Sequence, residues 1–154
     1  APPEMVVAML NGDIDAFGTL KPSLPHLDYF LPSIDEARLM TNQESPADIA
    51  VFFLDHGVGT VGLKMGAEGS YIRNSENQLR IPAFKTNVVD TSGAGDSWIA
   101  GFLAGVSMGW NLEDSGRLGS AMGALCASSI GTTAGLKNLD ETIAFMRNAE
   151  ELSI

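Results

Sequence analysis

The stretch Asp90-Thr-Ser-Gly-Ala-Gly-Asp96 decides the fold predicted for this chain. It follows the apolar pair Val88-Val89 and precedes a run of apolar and small residues, which predicts a strand, a glycine turn and then a helix. Such a turn presents unpaired backbone N–H groups at a helix N-terminus, where these donors and the helix dipole both favour an anion. Asp96 adds a carboxylate to the same turn. An anion cradle beside a carboxylate suits phosphoryl transfer, because the cradle holds the migrating group while the carboxylate takes the acceptor's proton.

Composition and charge limit the class of protein. With 154 residues, 45% of them hydrophobic, and a mean hydropathy of +0.11, the chain has enough apolar material for a globular core. We therefore expect a single α/β domain over residues 1–154. Nineteen acidic and nine basic residues give a net charge of −10, which argues against nucleic-acid binding because no basic surface offsets the phosphates.

The few cysteines and histidines give no sign of a disulfide or a metal centre. Cys126 is the only cysteine in the sequence, which excludes an internal disulfide and fits a reducing compartment, so a cytoplasmic location is expected. We expect Cys126 to be a small buried residue, and His26 and His56 to lie at the surface or at helix ends. No run approaches the ~18 apolar residues that span a bilayer, and residues 1–15 lack the pattern of a signal peptide, so no membrane partner is expected.

Apolar periodicity and turn signals outline the remaining elements on both sides of the 90–96 stretch. Residues 17–24 are predicted as a short helix or an irregular segment, and residues 131–135 as a loop. Strands are predicted at residues 5–10, 28–32, 60–64, 70–73 and 78–81. Helices are predicted at residues 33–40, 45–56, 97–108, 112–129 and from 139 onward. Strands that alternate with helices imply an α/β fold with a largely parallel sheet.

Further motifs carry a family resemblance from about Leu20 to the C-terminus. The 90–96 stretch followed by Gly101-Phe102, the segments DYFLPSIDE at 28–36 and LKMGAEG at 63–69, and the small-residue helix before Gly131 occur in the order typical of the ribokinase (PfkB) family of carbohydrate and nucleoside kinases. The resemblance implies a three-layer ribokinase-like sandwich with a mostly parallel sheet. It covers only the C-terminal, nucleotide-binding half of that fold, and the family's sugar-binding half and lid have no counterpart here.

The resemblance also implies an activity. In the family, the γ-phosphoryl group of ATP, bound with Mg²⁺, passes to a hydroxyl, usually that of a sugar. Carried onto this chain, Asp96 is the base that deprotonates the hydroxyl. The backbone N–H groups of Gly93, Ala94 and Gly95 form the anion hole for the transferring group, which agrees with the physical demands of phosphoryl transfer.

Three further groups of residues are assigned by the same resemblance. The turn that follows the strand at 60–64 is implied to bind nucleotide phosphates, through Lys64, Gly66, Glu68 and Gly69. The small-residue helix is implied to lie against the adenine ring, through Ser120, Ala121 and Gly123. Glu36 is implied to help bind Mg²⁺. Asp90, Ser92 and Gly131 are implied to lie near a site for a monovalent cation such as K⁺. The implied partners are a nucleotide and a sugar or nucleoside, with a homodimer of the full-length protein as a further option.

Plainer interpretations stay open for each motif. The 90–96 stretch is also compatible with a tight turn and a capping aspartate. Lys64 can also be a solvated lysine at the end of a strand, and the small residues of 119–129 can simply allow close helix packing. Ser33 stands where the family usually has asparagine, so Ser33 and Glu36 also fit a plain capping box that opens a helix. For the chain as a whole, the alternative to a kinase is a non-catalytic nucleotide-binding or regulatory module, or an inactive fragment. The sugar or nucleoside that accepts the phosphoryl group is left open.

Overall fold

The structure, a computed structural model, describes residues 15–153, so the strand predicted at 5–10 lies outside the described residues. Two 3₁₀ turns span Lys21–His26 and Gly66–Glu68. The α-helices are α1 (Ala16–Leu20), α2 (Ile34–Thr41), α3 (Pro46–Asp55), α4 (Ala94–Ser107), α5 (Leu112–Ala127) and α6 (Leu139–Asn148). The strands are β1 (Tyr29–Phe30), β2 (Thr60–Lys64), β3 (Ser70–Arg73) and β4 (Gln78–Ile81). Among the described helices, none combines the length and the hydropathy that a membrane crossing requires.

Polar side chains cap the start of four described helices, beginning with α1, where Asp15 accepts the Gly18 N–H at 2.7 Å. The capping box predicted at the start of α2 is confirmed: the Ser33 hydroxyl accepts from the Glu36 N–H, and the Glu36 carboxylate accepts from the Ser33 N–H at 2.9 Å. Asn111 caps α5 and Asn138 caps α6, each accepting the N–H of the residue three positions on. These local signals explain why the helices begin where the sequence predicts.

The sheet is mixed, and the prediction of a largely parallel sheet is wrong in this respect. The strand order is β1-β2-β3-β4, and β1 pairs parallel with β2, Tyr29 opposite Thr60. The segments that join β2 to β3 and β3 to β4 are too short for a crossover, so both connections are hairpins of antiparallel strands. The strand predicted at 28–32 contains only two residues, because Pro32 follows closely and cannot donate to a ladder.

Helix α4 begins earlier than predicted. The sequence places residues 93–95 in a turn and starts the helix at Ser97, whereas α4 starts at Ala94 with Gly93 as its N-cap. Gly93 adopts a left-handed φ of 76°, so the chain reverses within one residue and enters the helix at once. Gly95 and Asp96 therefore lie in the first helical turn.

Two compact units make up the structure. The first comprises the residues up to Leu63 together with Arg73–Gln78, and the second comprises Lys64–Ile72 and the residues from Leu79 onward. In the first unit, the Phe30 ring packs edge-on against Phe53 with centroids 4.7 Å apart. Its fully buried apolar residues include Leu24, Ala37, Ile49, Phe53 and Val61. That residues 1–154 act as one domain stays a prediction.

Close packing between α4 and α5 organises the second unit. A β-carbon on Gly101 would lie 2.8 Å from the Leu118 carbonyl oxygen, and one on Gly119 would lie 2.9 Å from the Trp98 carbonyl oxygen. Glycine at these positions lets the two helix backbones approach each other directly. Cys126, as expected, is fully buried. On another face of α5, a β-carbon on Gly116 would meet the Ile72 and Ile81 side chains, so this helix also packs on the β3–β4 hairpin.

Candidate functional site

The N-terminus of α4 is the centre of the candidate site. Two features require glycine at its N-cap, Gly93: its φ of 76°, and a β-carbon position 2.9 to 3.1 Å from atoms of Thr132. The residue that follows the first turn, Ser97, donates its N–H to the Gly93 carbonyl at 2.9 Å and fixes the start of the helix. The positive end of the helix dipole is thereby presented beside the exposed Asp96.

The backbone N–H groups of this turn differ in what they bond. The Ala94 N–H donates to the Thr91 carbonyl at 3.2 Å, which closes the turn. Within residues 15–153, no hydrogen bond of the N–H groups of Gly93, Gly95 or Asp96 is observed, as expected for the first turn of a helix. Of the three N–H groups expected to form an anion hole, Gly93 and Gly95 therefore retain an unengaged donor, and Asp96 adds one that the sequence did not predict.

Lys64 brings a cation to the same place. A β-carbon on Gly95 would lie 3.4 Å from Lys64 Nζ, so the ammonium group lies beside the first turn of α4. Lys64 is the last residue of β2, and the 3₁₀ turn Gly66–Glu68 follows it. Gly69 closes this turn with a φ of 81° and has no room for a side chain, because a β-carbon there would lie 2.0 Å from the Ile81 carbonyl oxygen.

A cavity of about 470 Å³ lies within the second unit and is bordered by these elements. Lys64 and the α4 terminus form one part of its lining, and small residues of α5 form another. Most of the lining is apolar, as is usual for small-molecule sites. The predicted site residues in the lining are Lys64, Gly66, Gly69, Ala94, Gly95, Ser120 and Gly123.

Other predicted residues lie elsewhere, and some lining residues were not predicted. Gly93, Asp96 and Glu68 are not part of the lining, and Ala121 is fully buried away from it. Trp98 is only 6% exposed and is also a lining residue. The lining residues with no predicted binding role are Ala67, Ala83, Phe84, Lys85, Thr86, Val88, Thr91, Trp98, Ala124, Ala127 and Leu152. Ala67 and Thr91 lie inside motifs that the sequence analysis identified, and Trp98, Ala124 and Ala127 share a helix face with predicted site residues. The other lining residues carried no sequence signal of a binding role.

Asp90, Ser92 and Gly131 come together as a cluster. One carboxylate oxygen of Asp90 accepts the Gly131 N–H at 3.0 Å, and the other accepts the Ser92 N–H at 2.9 Å. These bonds, that from Gly131 most and that from Ser92 next, lower the pKa of the Asp90 carboxyl below its usual value because they favour the ionised form. The Cys126 thiol lies between the carbonyl oxygens of Ser92 and Thr132, at 3.4 and 3.2 Å, and ties the same two segments together.

Glu36 is held locally in the first unit. Its Oε2 accepts both the Ser33 N–H at 2.9 Å and the Ser33 hydroxyl at 2.8 Å. The cap that is observed and the metal role that is predicted for Glu36 therefore involve the same carboxylate. Among the described residues, no group of three or more acidic, histidine or cysteine side chains is arranged to enclose a metal ion.

Comparison with known proteins identifies the family. The family model described as pfkB family carbohydrate kinase matches residues 6–139, which is most of the chain. This chain belongs to the pfkB family. The 2-dehydro-3-deoxygluconokinase of Bacillus subtilis is 32% identical over 120 residues, which cover 77% of this chain and 37% of that protein. The ribokinase of Staphylococcus aureus is 31% identical over 121 residues, which cover 75% and 40%.

Solved structures agree with a ribokinase-like fold for this pfkB chain. A ribokinase II-like protein of E. coli, crystallised with ATP and Mg²⁺, superposes with a TM-score of 0.80 at 26% identity, over 90% of this chain and 45% of that chain. A Burkholderia thailandensis nucleoside kinase in complex with inosine superposes with a TM-score of 0.76 at 28% identity, over 90% and 45%. The pfkB chain thus spans less than half the length of these relatives.

Proposed function

We propose that this pfkB chain is the nucleotide-binding and catalytic part of a kinase that transfers the γ-phosphoryl group of ATP to a hydroxyl of a sugar or related small molecule. The observation that carries the proposal is the meeting of three features in one unit. They are the unengaged N–H donors at the start of α4, the Lys64 ammonium beside Gly95, and the cavity that extends from both. The mostly apolar lining of the cavity, which also includes Lys64, supports ATP as the donor.

In the proposed reaction, Asp96 removes the proton from the acceptor hydroxyl while the hydroxyl oxygen attacks the γ-phosphorus. The bond from that phosphorus to the bridging oxygen of ADP breaks, and the electron pair leaves with ADP. The N–H groups of Gly93 and Gly95 donate to the oxygens of the transferring group, on which charge is spread in the transition state. Asp96 is exposed on the first turn of α4, where an acceptor can reach it.

Two cations belong to the proposal. Mg²⁺ usually binds through phosphates, water and one or two carboxylates, and the carboxylate of Glu36 is a ligand of that kind. When bound, Mg²⁺ neutralises charge on the nucleotide phosphates. For a monovalent cation, the Asp90 cluster supplies a carboxylate that the N–H groups of Gly131 and Ser92 hold in place. The site roles of Asp90, Ser92 and Gly131 rest on this proposal.

A second candidate function is a nucleotide-binding module without turnover. It is favoured by one observation, the engagement of Glu36 by Ser33, which ties up the carboxylate proposed for Mg²⁺. The two candidates agree on nucleotide binding and differ only in whether a product forms.

The test is Asp96→Asn, assayed in the full-length gene product with ATP and a panel of sugars and nucleosides. Loss of the base is expected to lower kcat by a factor of about 10² to 10⁴ while the affinity for ATP stays within about twofold. Asp140→Asn is the matched control, because Asp140 is also an exposed aspartate in a first helical turn, that of α6. Near-normal turnover of Asp96→Asn contradicts the assignment, and absence of turnover in the unsubstituted protein favours the binding module.

A further inference from the structure

We propose that residues 150–152 form a strap that completes the wall of the nucleotide cavity, with Leu152 as a residue that determines nucleotide affinity. The inference rests on the proposed function, because it takes the cavity to be the nucleotide site. Leu152 lines the cavity, although it is far in sequence from every motif that predicted the site. The name strap is used below for residues 150–152.

Backbone hydrogen bonds hold the strap against the segment that follows β4. The Leu152 N–H donates to the Ala83 carbonyl at 2.8 Å, and the Lys85 N–H donates to the Glu150 carbonyl at 2.7 Å. Between them, Phe84 and Glu151 form an antiparallel bridge. Ala83, Phe84 and Lys85 also line the cavity, so the strap and its partner segment form one continuous part of the wall.

Side chains anchor the strap at its centre more firmly than at its edge. The Arg117 guanidinium of α5 pairs with Glu151 and lies over the Phe84 ring, 5.4 Å from its centroid. The side-chain exposures of this pair are 28% for Arg117 and 39% for Glu151, so it is partly open to water. The pair of Lys85 with Glu150 is 59% and 70% exposed, so water and salt weaken it and it contributes little.

This construction makes the strap a separable element. Two backbone bonds and one partly exposed ion pair hold it, so it can open locally without unfolding the buried core of the unit. A base bound against Leu152 makes its contact only when the strap is docked. Binding and docking must therefore favour each other, and each strengthens the other by the same factor.

The experiment compares ATP binding by calorimetry in the unsubstituted chain, Leu152→Ala and the control Leu139→Ala. Leu139 is a matched leucine, 43% exposed on α6 and outside the cavity lining. Truncation of Leu152 removes apolar contact with the base, so we expect about tenfold weaker ATP binding. Leu139→Ala is expected to bind within about twofold of the unsubstituted chain, since it touches no part of the cavity. Circular dichroism establishes that both variants keep the fold.

Hydrogen exchange provides a second readout, which a purely structural role of Leu152 would not change. Saturating ATP is expected to slow exchange of the Leu152 and Lys85 amides about threefold or more, because the bound base favours the docked strap. If the unsubstituted chain binds ATP while Leu152→Ala binds equally well and these amides are unaffected, the strap proposal is overturned and the proposed function stands. If the unsubstituted chain does not bind ATP, the proposed function fails and the strap proposal fails with it.

Discussion

At the scale of single residues, the two glycines of the signature stretch differ in how strictly the structure requires them. Gly93 combines a left-handed φ with a close approach to Thr132, whereas a β-carbon on Gly95 would only reach ordinary contact distance, 3.4 Å, from the Lys64 ammonium. The sequence predicts the presence of a turn here from the glycines alone. It does not predict which of them face Thr132 or Lys64, because both neighbours are distant in the chain.

Alanine substitution separates the two reasons for glycine at position 93, which are the left-handed backbone conformation and the close contact with Thr132. Gly109 is a matched control, with a φ of 78° and no atom within 4 Å of a β-carbon. We expect Gly109→Ala to lower the free energy of unfolding by about 1 kcal/mol, and Gly93→Ala by about 3 kcal/mol, because only Gly93 also meets Thr132. Urea denaturation of both variants measures the difference. Equal losses would show that the Thr132 contact contributes nothing.

Asp90 predicts a pH dependence of stability. Its pKa is lowered in the folded state by the N–H groups of Gly131 and Ser92, so its contribution is present above the unfolded-state pKa. That contribution is lost as the pH falls through the lower folded-state value. Asp90→Asn should therefore be less stable than the unsubstituted chain at about pH 6, and the difference should shrink below about pH 4. Urea denaturation across this range checks it, and a pH-independent difference contradicts the linkage.

At the scale of elements, local signals predicted most helices and strands. The caps Ser33, Asn111 and Asn138 act through residues three positions away, so sequence alone reveals them. The early start of α4 was missed because it depends on the left-handed conformation of Gly93. The mixed sheet was missed because the alternation of strands and helices predicts parallel strands, whereas β2, β3 and β4 follow one another through short turns with no helix long enough for a crossover.

The close contact of α4 with α5 predicts that alanine at Gly101 destabilises the chain. Helix propensity alone predicts that Gly101→Ala stabilises the chain by about 1 kcal/mol. A β-carbon at this position would lie 2.8 Å from the Leu118 carbonyl oxygen and 3.0 Å from the Met122 sulfur, so the helices must separate. We expect Gly101→Ala to lower the free energy of unfolding by about 1 to 3 kcal/mol. Thermal unfolding that shows a gain in stability contradicts direct backbone packing.

At the scale of the whole molecule, the candidate site combines predictable and unpredictable parts. The family motifs include Lys64, the α4 terminus and part of α5, and all three border one cavity. The wall made by residues 83–86 and by Leu152 was not predicted, because an isolated bridge between segments far apart in sequence leaves no periodic signal. Because the net charge is −10, the proposed binding of an anionic nucleotide has to depend on the local N–H donors and Lys64.

Calorimetric titration of the chain with ATP and Mg²⁺ tests most directly the central claim that the cavity is the nucleotide site. The titration is repeated with two variants in which an alanine is replaced by tryptophan. Ala124 lines the cavity on α5, whereas Ala100 is exposed on α4 and outside the lining. We predict saturable binding with a Kd below about 1 mM, unchanged in Ala100→Trp and lost in Ala124→Trp, where the indole fills the cavity. Absence of binding by the unsubstituted chain, or undiminished binding by Ala124→Trp, contradicts the assignment of this cavity to the nucleotide.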